Sequence, residues 1–202
     1  MDRATTFVTG ALAGLATVAG MQYYRSRATE SVDYESRQAG GIELREYPTV
    51  VVAETVADRE NAGRRRLDQY LGGANTAAER IPATTPLRTH SQPLELTTPQ
   101  ADETRETPVR VTSYLPPTYS PQTAPEPSDP TVQLTVETPR TVAVRSVSLY
   151  PSADRLERAR DKLFAAVDAN DWVAIGSPFV FRYDNSLVGS LTGRAEVGIE
   201  IA

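Results

Sequence analysis

The hydrophobic pattern after residue 27 alternates between strand and helix periodicity. Residues 40–57, "GGIELREYPTVVVAETVA", alternate and then become β-branched after Pro48, which predicts two strands joined at that proline. Residues 59–71, "RENAGRRRLDQYL", place apolar side chains three and four positions apart and predict an amphipathic helix. Residues 81–88 return to a strand pattern, and their prolines favour an edge or a bulge. The first half therefore predicts the order strand, strand, helix, strand.

The predicted first helix has recognisable ends. Asp58 is the expected N-cap, because its carboxylate can accept a hydrogen bond from the first turn. Gly72 and Gly73 supply the expected left-handed C-cap, where a residue without Cβ is favoured. The inward stripe consists of Leu67, Tyr70 and Leu71.

The second half repeats this order. Residues 132–150, "VQLTVETPRTVAVRSVSLY", again give two strands, and their Pro139 lies 91 residues after Pro48. A helix is expected after Pro151 with Ser152 as N-cap, then a strand over 172–181, "WVAIGSPFVF". A last strand, "AEVGIEIA", closes the chain. A strand–strand–helix–strand unit that occurs twice predicts an α+β fold, with one helix per half laid on an antiparallel sheet.

The first 27 residues are expected to be a separate hydrophobic helix, which leaves one folded domain over 28–202. Residues 4–24 carry no charge, and 21 residues in a helix just cross a hydrocarbon core of about 30 Å. Tyr23 and Tyr24 stand where an interfacial aromatic belt would lie. Three interpretations stay open: an uncleaved membrane anchor, a cleaved secretory signal, or a disordered or peripheral tail. The first predicts a membrane-anchored protein, with no indication of the side.

Composition excludes several kinds of site. The net charge of −5 argues against a nucleic-acid binder, which normally shows a basic face. The absence of cysteine excludes disulfides, thiolate metal sites and thiol catalysis, and a single histidine disfavours a catalytic triad or a multi-histidine metal site. No local constellation of residues indicates catalysis, so we expect a non-enzymatic protein.

Several segments, in order, resemble the SOUL haem-binding family. "IELREYP" (42–48) is similar to its opening strand, and "LDQYLGGAN" with "IPATTPL" to its first helix end and the following strand. "SYLPP" and "DPTVQL" resemble the proline-rich middle. "VAVRSVSLYPSADRLERARDKL" and "GRAEVGIEI" are similar to the second-half strand, helix and closing strand. The resemblance covers about Tyr34 to Ile201.

The resemblance implies a fold and a ligand. The fold would be a distorted antiparallel β-barrel built from two β-α-β repeats with two flanking helices, as also found in effector-binding domains. The ligand would be haem or another tetrapyrrole, held in an apolar groove beside the first helix. Where one branch of the family has an axial histidine this chain has Glu46, where relatives have methionine it has Ala83, and the closing-strand tryptophan is Gly198.

Candidate ligand contacts follow from this resemblance and from residue chemistry. Arg64 and Arg66 on the first helix could pair with tetrapyrrole carboxylates, because a guanidinium fork matches a carboxylate. His90 could ligate iron as a neutral imidazole if its neighbouring loop folds over the groove. The remaining candidate contacts are Glu46, Leu67, Tyr70, Leu71 and Ile81, of which the four apolar ones are also expected in the core.

Three functional hypotheses remain open. The leading one is a non-enzymatic haem- or tetrapyrrole-binding protein that buffers or carries its ligand, attached to a membrane through residues 1–27. The second is a small-molecule sensor or protein-interaction module that keeps the fold without haem affinity, with an unknown protein partner. The third is an enzyme acting on tetrapyrroles.

Overall fold

Nine strands form one antiparallel sheet, and two helices pack on one of its faces. The computed structural model describes residues 30–91, 108–147, 151–183 and 193–202. The helices are α1 (Glu60–Leu71) and α2 (Ala153–Ala169). The strands are β1 (Glu30–Ser31), β2 (Glu35–Ala39), β3 (Ile42–Tyr47), β4 (Val50–Ala57), β5 (Thr84–Thr85), β6 (Leu87–Ser91), β7 (Val109–Tyr114), β8 (Val132–Glu137), β9 (Arg140–Val147), β10 (Ala174–Arg182) and β11 (Ala195–Ile201).

The two halves of the chain exchange strands. The order across the sheet is β2-β3-β9-β11-β10-β6-β7-β4-β8, while β1 and β5 form a separate two-stranded sheet. Strand β3 pairs with β9 of the second half, and β8 pairs with β4 of the first half. The two strands that flank Pro48, β3 and β4, therefore lie in different halves of the sheet. The same holds for β8 and β9, which flank Pro139. The halves meet where β6 pairs with β10, which gives the sheet an approximate two-fold symmetry.

The predicted α+β class and duplicated plan are confirmed, but the predicted barrel is not closed. Strands β2 and β8 are the two ends of the sheet. Strand β2 carries the polar sequence "ESRQA" and is largely exposed, which suits an edge that does not pair further.

Three local predictions need correction. The N-cap of α1 is Arg59 instead of Asp58, and no side-chain hydrogen bond caps the helix. Gly72 is right-handed, with φ −74°, and only Gly73 takes the left-handed conformation, with φ +113°. The proline-marked segment leads into a central strand, because Pro86 lies just before β6, where its missing N–H costs the sheet no hydrogen bond.

Each helix covers its own part of the sheet. Helix α1 buries Leu67, Tyr70 and Leu71 as predicted. Its apolar cluster with strands β4, β6, β7 and β8 and the neighbouring loops also includes Val51, Ala53, Ile81, Leu87, Val111, Leu115, Ala124 and Val132. Helix α2 packs on β3, β9 and β11 through a second cluster, Ile42, Leu44, Ala143, Val147, Ala159, Leu163, Val167, Val197, Ile199 and Ile201. The core is thus two layers, helix on sheet.

The opposite face of the curled sheet is filled by aromatic side chains. Tyr47 stacks on Tyr114 at 6.3 Å between ring centroids, and Phe181 lies 6.3 Å from Tyr47. Phe179 packs edge-on to Phe181 at 4.9 Å, and its ring covers Gly198 on the neighbouring strand. A phenylalanine from β10 therefore occupies the space above the position where the family resemblance led us to expect tryptophan.

A buried charge cluster lies on the same face. The side chains of Arg45 on β3 and Glu196 on β11 are fully buried, and their nearest atoms are 2.7 Å apart. Arg45 also donates two hydrogen bonds to Glu43, and Tyr183 donates one of 2.6 Å to Glu196. Burial alone would raise the pKa of Glu196, but the hydrogen bonds from Arg45 and Tyr183 hold that pKa below its ordinary value.

Within the described residues, no helix is long and apolar enough to cross a membrane. The hydrophobic segment predicted over residues 1–27 lies outside that part of the chain. Residues Ser31–Ala202 form one compact unit.

We predict that Gly198→Ala destabilises the domain through Phe179. A Cβ at residue 198 would lie 2.5 Å from Phe179 Cε2, so the packed ring must shift, at a cost of about 2 kcal/mol. In a Phe179→Ala background the same substitution should cost less than about 0.5 kcal/mol, which a double-mutant cycle by urea unfolding measures. Equal costs in both backgrounds would contradict this interpretation of Gly198.

We predict that Glu196→Gln lowers the free energy of unfolding by about 3 kcal/mol at pH 7, because it leaves the buried Arg45 charge only partly compensated by Glu43. Folding lowers the pKa of Glu196, so its contribution is present at neutral pH and is lost as pH falls below about 5. The variant should therefore lose less stability than the wild type between pH 5 and pH 3. Glu200→Gln, on the same strand, is the control and should change stability by less than about 1 kcal/mol.

Candidate functional site

An open groove of about 640 Å³ lies between α1 and α2, above strands β6, β10 and β11. This volume falls within the range of about 300–1,000 Å³ that small-molecule sites occupy. We call it the interhelical groove. It is lined by Glu60, Thr89, His90, Val109, Ala153, Leu156, Glu157, Arg160, Ser177, Pro178, Phe179, Val180, Arg182 and Val197.

The floor of the interhelical groove is where the two halves of the sheet meet. Val180 of β10 pairs with Thr89 of β6, and strand alternation places both on the helix-covered face with Arg182. Leu156 projects from α2 as one half-buried wall. The floor and this wall are mostly apolar, which suits the flat hydrocarbon surface of an aromatic ligand.

Charged side chains flank this apolar floor. Arg182 Nε lies 2.8 Å from Glu60 Oε1 at the start of α1, and both side chains are 28% exposed. Arg160 on α2 contacts Glu157 at 3.3 Å and Asp161 at 3.5 Å, and its side chain is 46% exposed. The groove thus carries two guanidinium groups, that of Arg182 beside the start of α1 and that of Arg160 on α2.

His90 lies at the edge of the groove near the end of β6. Partial burial, together with the positive charges of Arg88 and Arg110, lowers its pKa to about 4. Its imidazole is therefore neutral at neutral pH, the form that binds metal ions. Strand alternation directs this side chain to the face that carries Arg88. To contact a ligand above Thr89, the imidazole would have to reach around the end of β6.

The predicted site residues of α1 do not line this groove. Leu67, Tyr70 and Ile81 are at most 2% exposed and belong to the core beneath α1, together with Leu71. The Tyr70 hydroxyl donates a hydrogen bond of 2.9 Å to the carbonyl of Pro125. Their burial confirms the core interpretation, while a direct ligand contact through them stays a prediction.

The two candidate arginines of α1 lie partly exposed on the helix. Arg66 donates a hydrogen bond of 2.9 Å to the carbonyl of Val56, which ties it to the end of β4. Arg64 is half-buried. Their proposed pairing with ligand carboxylates stays a prediction.

Glu46 lies in a different cleft. This cleft, of about 760 Å³, is lined by Tyr34 and Tyr47, by three carboxylates and by the turn at Pro139, and we call it the tyrosine cleft. The three carboxylates are Asp33, Glu35 and Glu46. The structure therefore separates Glu46 from His90, which the sequence analysis placed in one candidate site.

Several groove residues were missed by the sequence analysis. Leu156 and Glu60 lie on the two predicted helices but are not among the ligand contacts predicted from the sequence. Arg182 directly follows the apolar run "SPFVF", a sequence signal for a charge at the end of a buried strand. Nothing in the sequence indicates that Arg182 and Glu60 are neighbours, because they are 122 residues apart. In the described part of the chain, no group of three or more acidic, histidine or cysteine side chains could hold a metal ion.

Similar folds occur among solved structures, at low sequence identity. The C-terminal domain of EcmrR matches with a TM-score of 0.54 and 15% identity, over 84% of this chain and 98% of that chain. EcmrR in a DNA complex matches with a TM-score of 0.55 and 13% identity, over 96% and 68% of the two chains. A hydrolase from Listeria innocua matches with a TM-score of 0.53 and 7% identity, over 90% and 98%. At these identities the likeness concerns the fold alone.

The sequence itself identifies the family. No curated protein matches the chain. The family model described as SOUL heme-binding protein matches residues 29–200, which include both repeats, both helices and the interhelical groove. The chain therefore belongs to the SOUL heme-binding protein family.

Proposed function

We propose that this protein binds haem or a related tetrapyrrole in the interhelical groove. The observation that carries the proposal is an apolar floor with a guanidinium group on each side, in a chain that belongs to a heme-binding family. A tetrapyrrole has an apolar macrocycle and peripheral carboxylates, and this arrangement complements both.

The residues present fit haem by apolar contact and charge, and offer one imidazole. Leu156 and Val180 would contact the macrocycle, and Arg160 and Arg182 would pair with carboxylates. His90, the single histidine of the chain, is the candidate iron ligand because it is neutral at neutral pH and lies at the edge of the groove, although its imidazole must reach around the end of β6 from the inner face. Bound haem would supply redox-active iron and a strong visible absorption band.

Buffering or carriage, without catalysis, is the proposed role. The family match is to a heme-binding protein, and the groove offers the apolar surface and charged groups that binding requires. Attachment to a membrane through residues 1–27 is part of the proposal and rests on the sequence.

A sensor of small molecules is the second candidate function, and the tyrosine cleft favours it. Three carboxylates and two tyrosine rings around Arg140 would repel an anionic porphyrin and would suit a cationic or neutral ligand.

We predict that haemin binds residues 28–202 with one-to-one stoichiometry and that Leu156→Gln weakens binding about tenfold, because one apolar wall contact is lost. Soret absorption during titration measures both. Val136→Gln is the matched control, since Val136 is 44% exposed on β8 and does not line the groove. A flat titration of the wild type would overturn the proposal and favour the sensor.

His90→Ala in the same titration tests the iron ligand separately. A shifted Soret maximum in the complex would support coordination by His90. An unchanged maximum with unchanged affinity would mean that haem is held by apolar contacts and carboxylate pairs alone.

A further inference from the structure

We infer that the Glu60–Arg182 ion pair selects tetrapyrroles with free carboxylates, because the carboxylate of the ligand replaces Glu60 at Arg182. This inference rests on the proposed ligand site. It adds that Glu60 is the residue with which a ligand carboxylate competes at Arg182.

The position of the pair makes Glu60 an internal competitor. Arg182 is the last residue of β10, Glu60 is the first residue of α1, and both line the interhelical groove. Their 2.8 Å contact joins the groove floor to the start of the helix. A ligand carboxylate at the groove floor must therefore share or displace Glu60.

The pair is exposed enough to open at small cost. Each side chain is 28% exposed, and ion pairs near the surface contribute at most about 1 kcal/mol. By contrast, Arg45 and Glu196 are fully buried and held by further hydrogen bonds, so they cannot exchange partners with a ligand. The two buried side chains hold the sheet, while the exposed pair can exchange.

A porphyrin offers Arg182 a carboxylate, as Glu60 does, and adds an apolar macrocycle. A porphyrin carboxylate can form a charge-assisted hydrogen bond with Arg182, whose buried Nε contacts Glu60 without hydrogen-bond geometry. The macrocycle also covers Val180 and Leu156, which Glu60 does not. The second carboxylate of the ligand can reach Arg160, whose contacts with Glu157 and Asp161 are longer and more exposed. A neutral diester gains the apolar contact only and leaves the Glu60–Arg182 pair closed.

The test compares protoporphyrin IX with its dimethyl ester, without iron, so that metal coordination does not contribute. Porphyrin fluorescence with residues 28–202 gives both affinities. We expect the diacid to bind wild-type protein about tenfold more tightly than the diester. Glu60→Gln should tighten diacid binding about threefold and leave diester binding unchanged. Arg182→Gln should weaken diacid binding about fivefold and reduce the preference to the part that Arg160 supplies, with partial recovery in Arg182→Lys.

Controls separate this inference from the proposed function. Glu35→Gln removes one negative charge away from the groove and should leave both affinities unchanged. Thermal unfolding of each variant without ligand should stay near the wild-type midpoint, which excludes loss of fold as the cause. Equal binding of diacid and diester, insensitive to Glu60→Gln, would overturn the inference while leaving tetrapyrrole binding intact. Failure of both porphyrins and of haemin to bind would overturn the proposed function itself.

Discussion

The short pairing between β6 and β10 is the contact on which the site depends. Three residue pairs, of which Val180 with Thr89 is one, join the halves of the sheet. Thr89, Val180 and Arg182 of these pairs line the groove, and each half brings its own helix to one side of it. The site is therefore a consequence of how two similar units meet. Neither unit contains the groove, since its floor and its two walls come from both.

The charged residues on the inner face of the sheet are buried in ion pairs, whereas those at the groove are partly exposed. On the inner face, Arg88 and Arg140 both contact Glu137, and Arg140 donates a hydrogen bond of 3.1 Å to the Tyr114 hydroxyl. These groups and the aromatic rings fill the space inside the curled sheet, and breaking such buried pairs is costly. On the outer face, an accessible apolar surface lies between the helices.

Local sequence patterns predicted the helices and strands, but they did not predict which strands are neighbours in the sheet. The repeat, both helices and the inward stripe of Leu67 and Tyr70 follow from local periodicity, which adjacent residues determine. The strand exchange does not, because pairing β3 with β9 depends on contacts about 100 residues apart. For the same reason the candidate contacts predicted from the sequence lie on α1, where the stripe is visible, and the sequence does not show that Arg182 is next to the start of that helix. The sequence also did not predict that Arg45 is buried. A charged residue next to an inward-facing strand residue such as Leu44 normally lies on the solvent face.

The strand exchange also determines how the domain can come apart. Each half completes its sheet with a strand supplied by the other: β3 crosses in one direction and β8 in the other. A half that unfolds takes a strand out of its neighbour and exposes the backbone of β9 or β4 to water. Partial unfolding of one half is thereby penalised in both, so the two repeats lose their structure together as a single cooperative unit. Duplication has in this way produced one folding domain from two similar sequences.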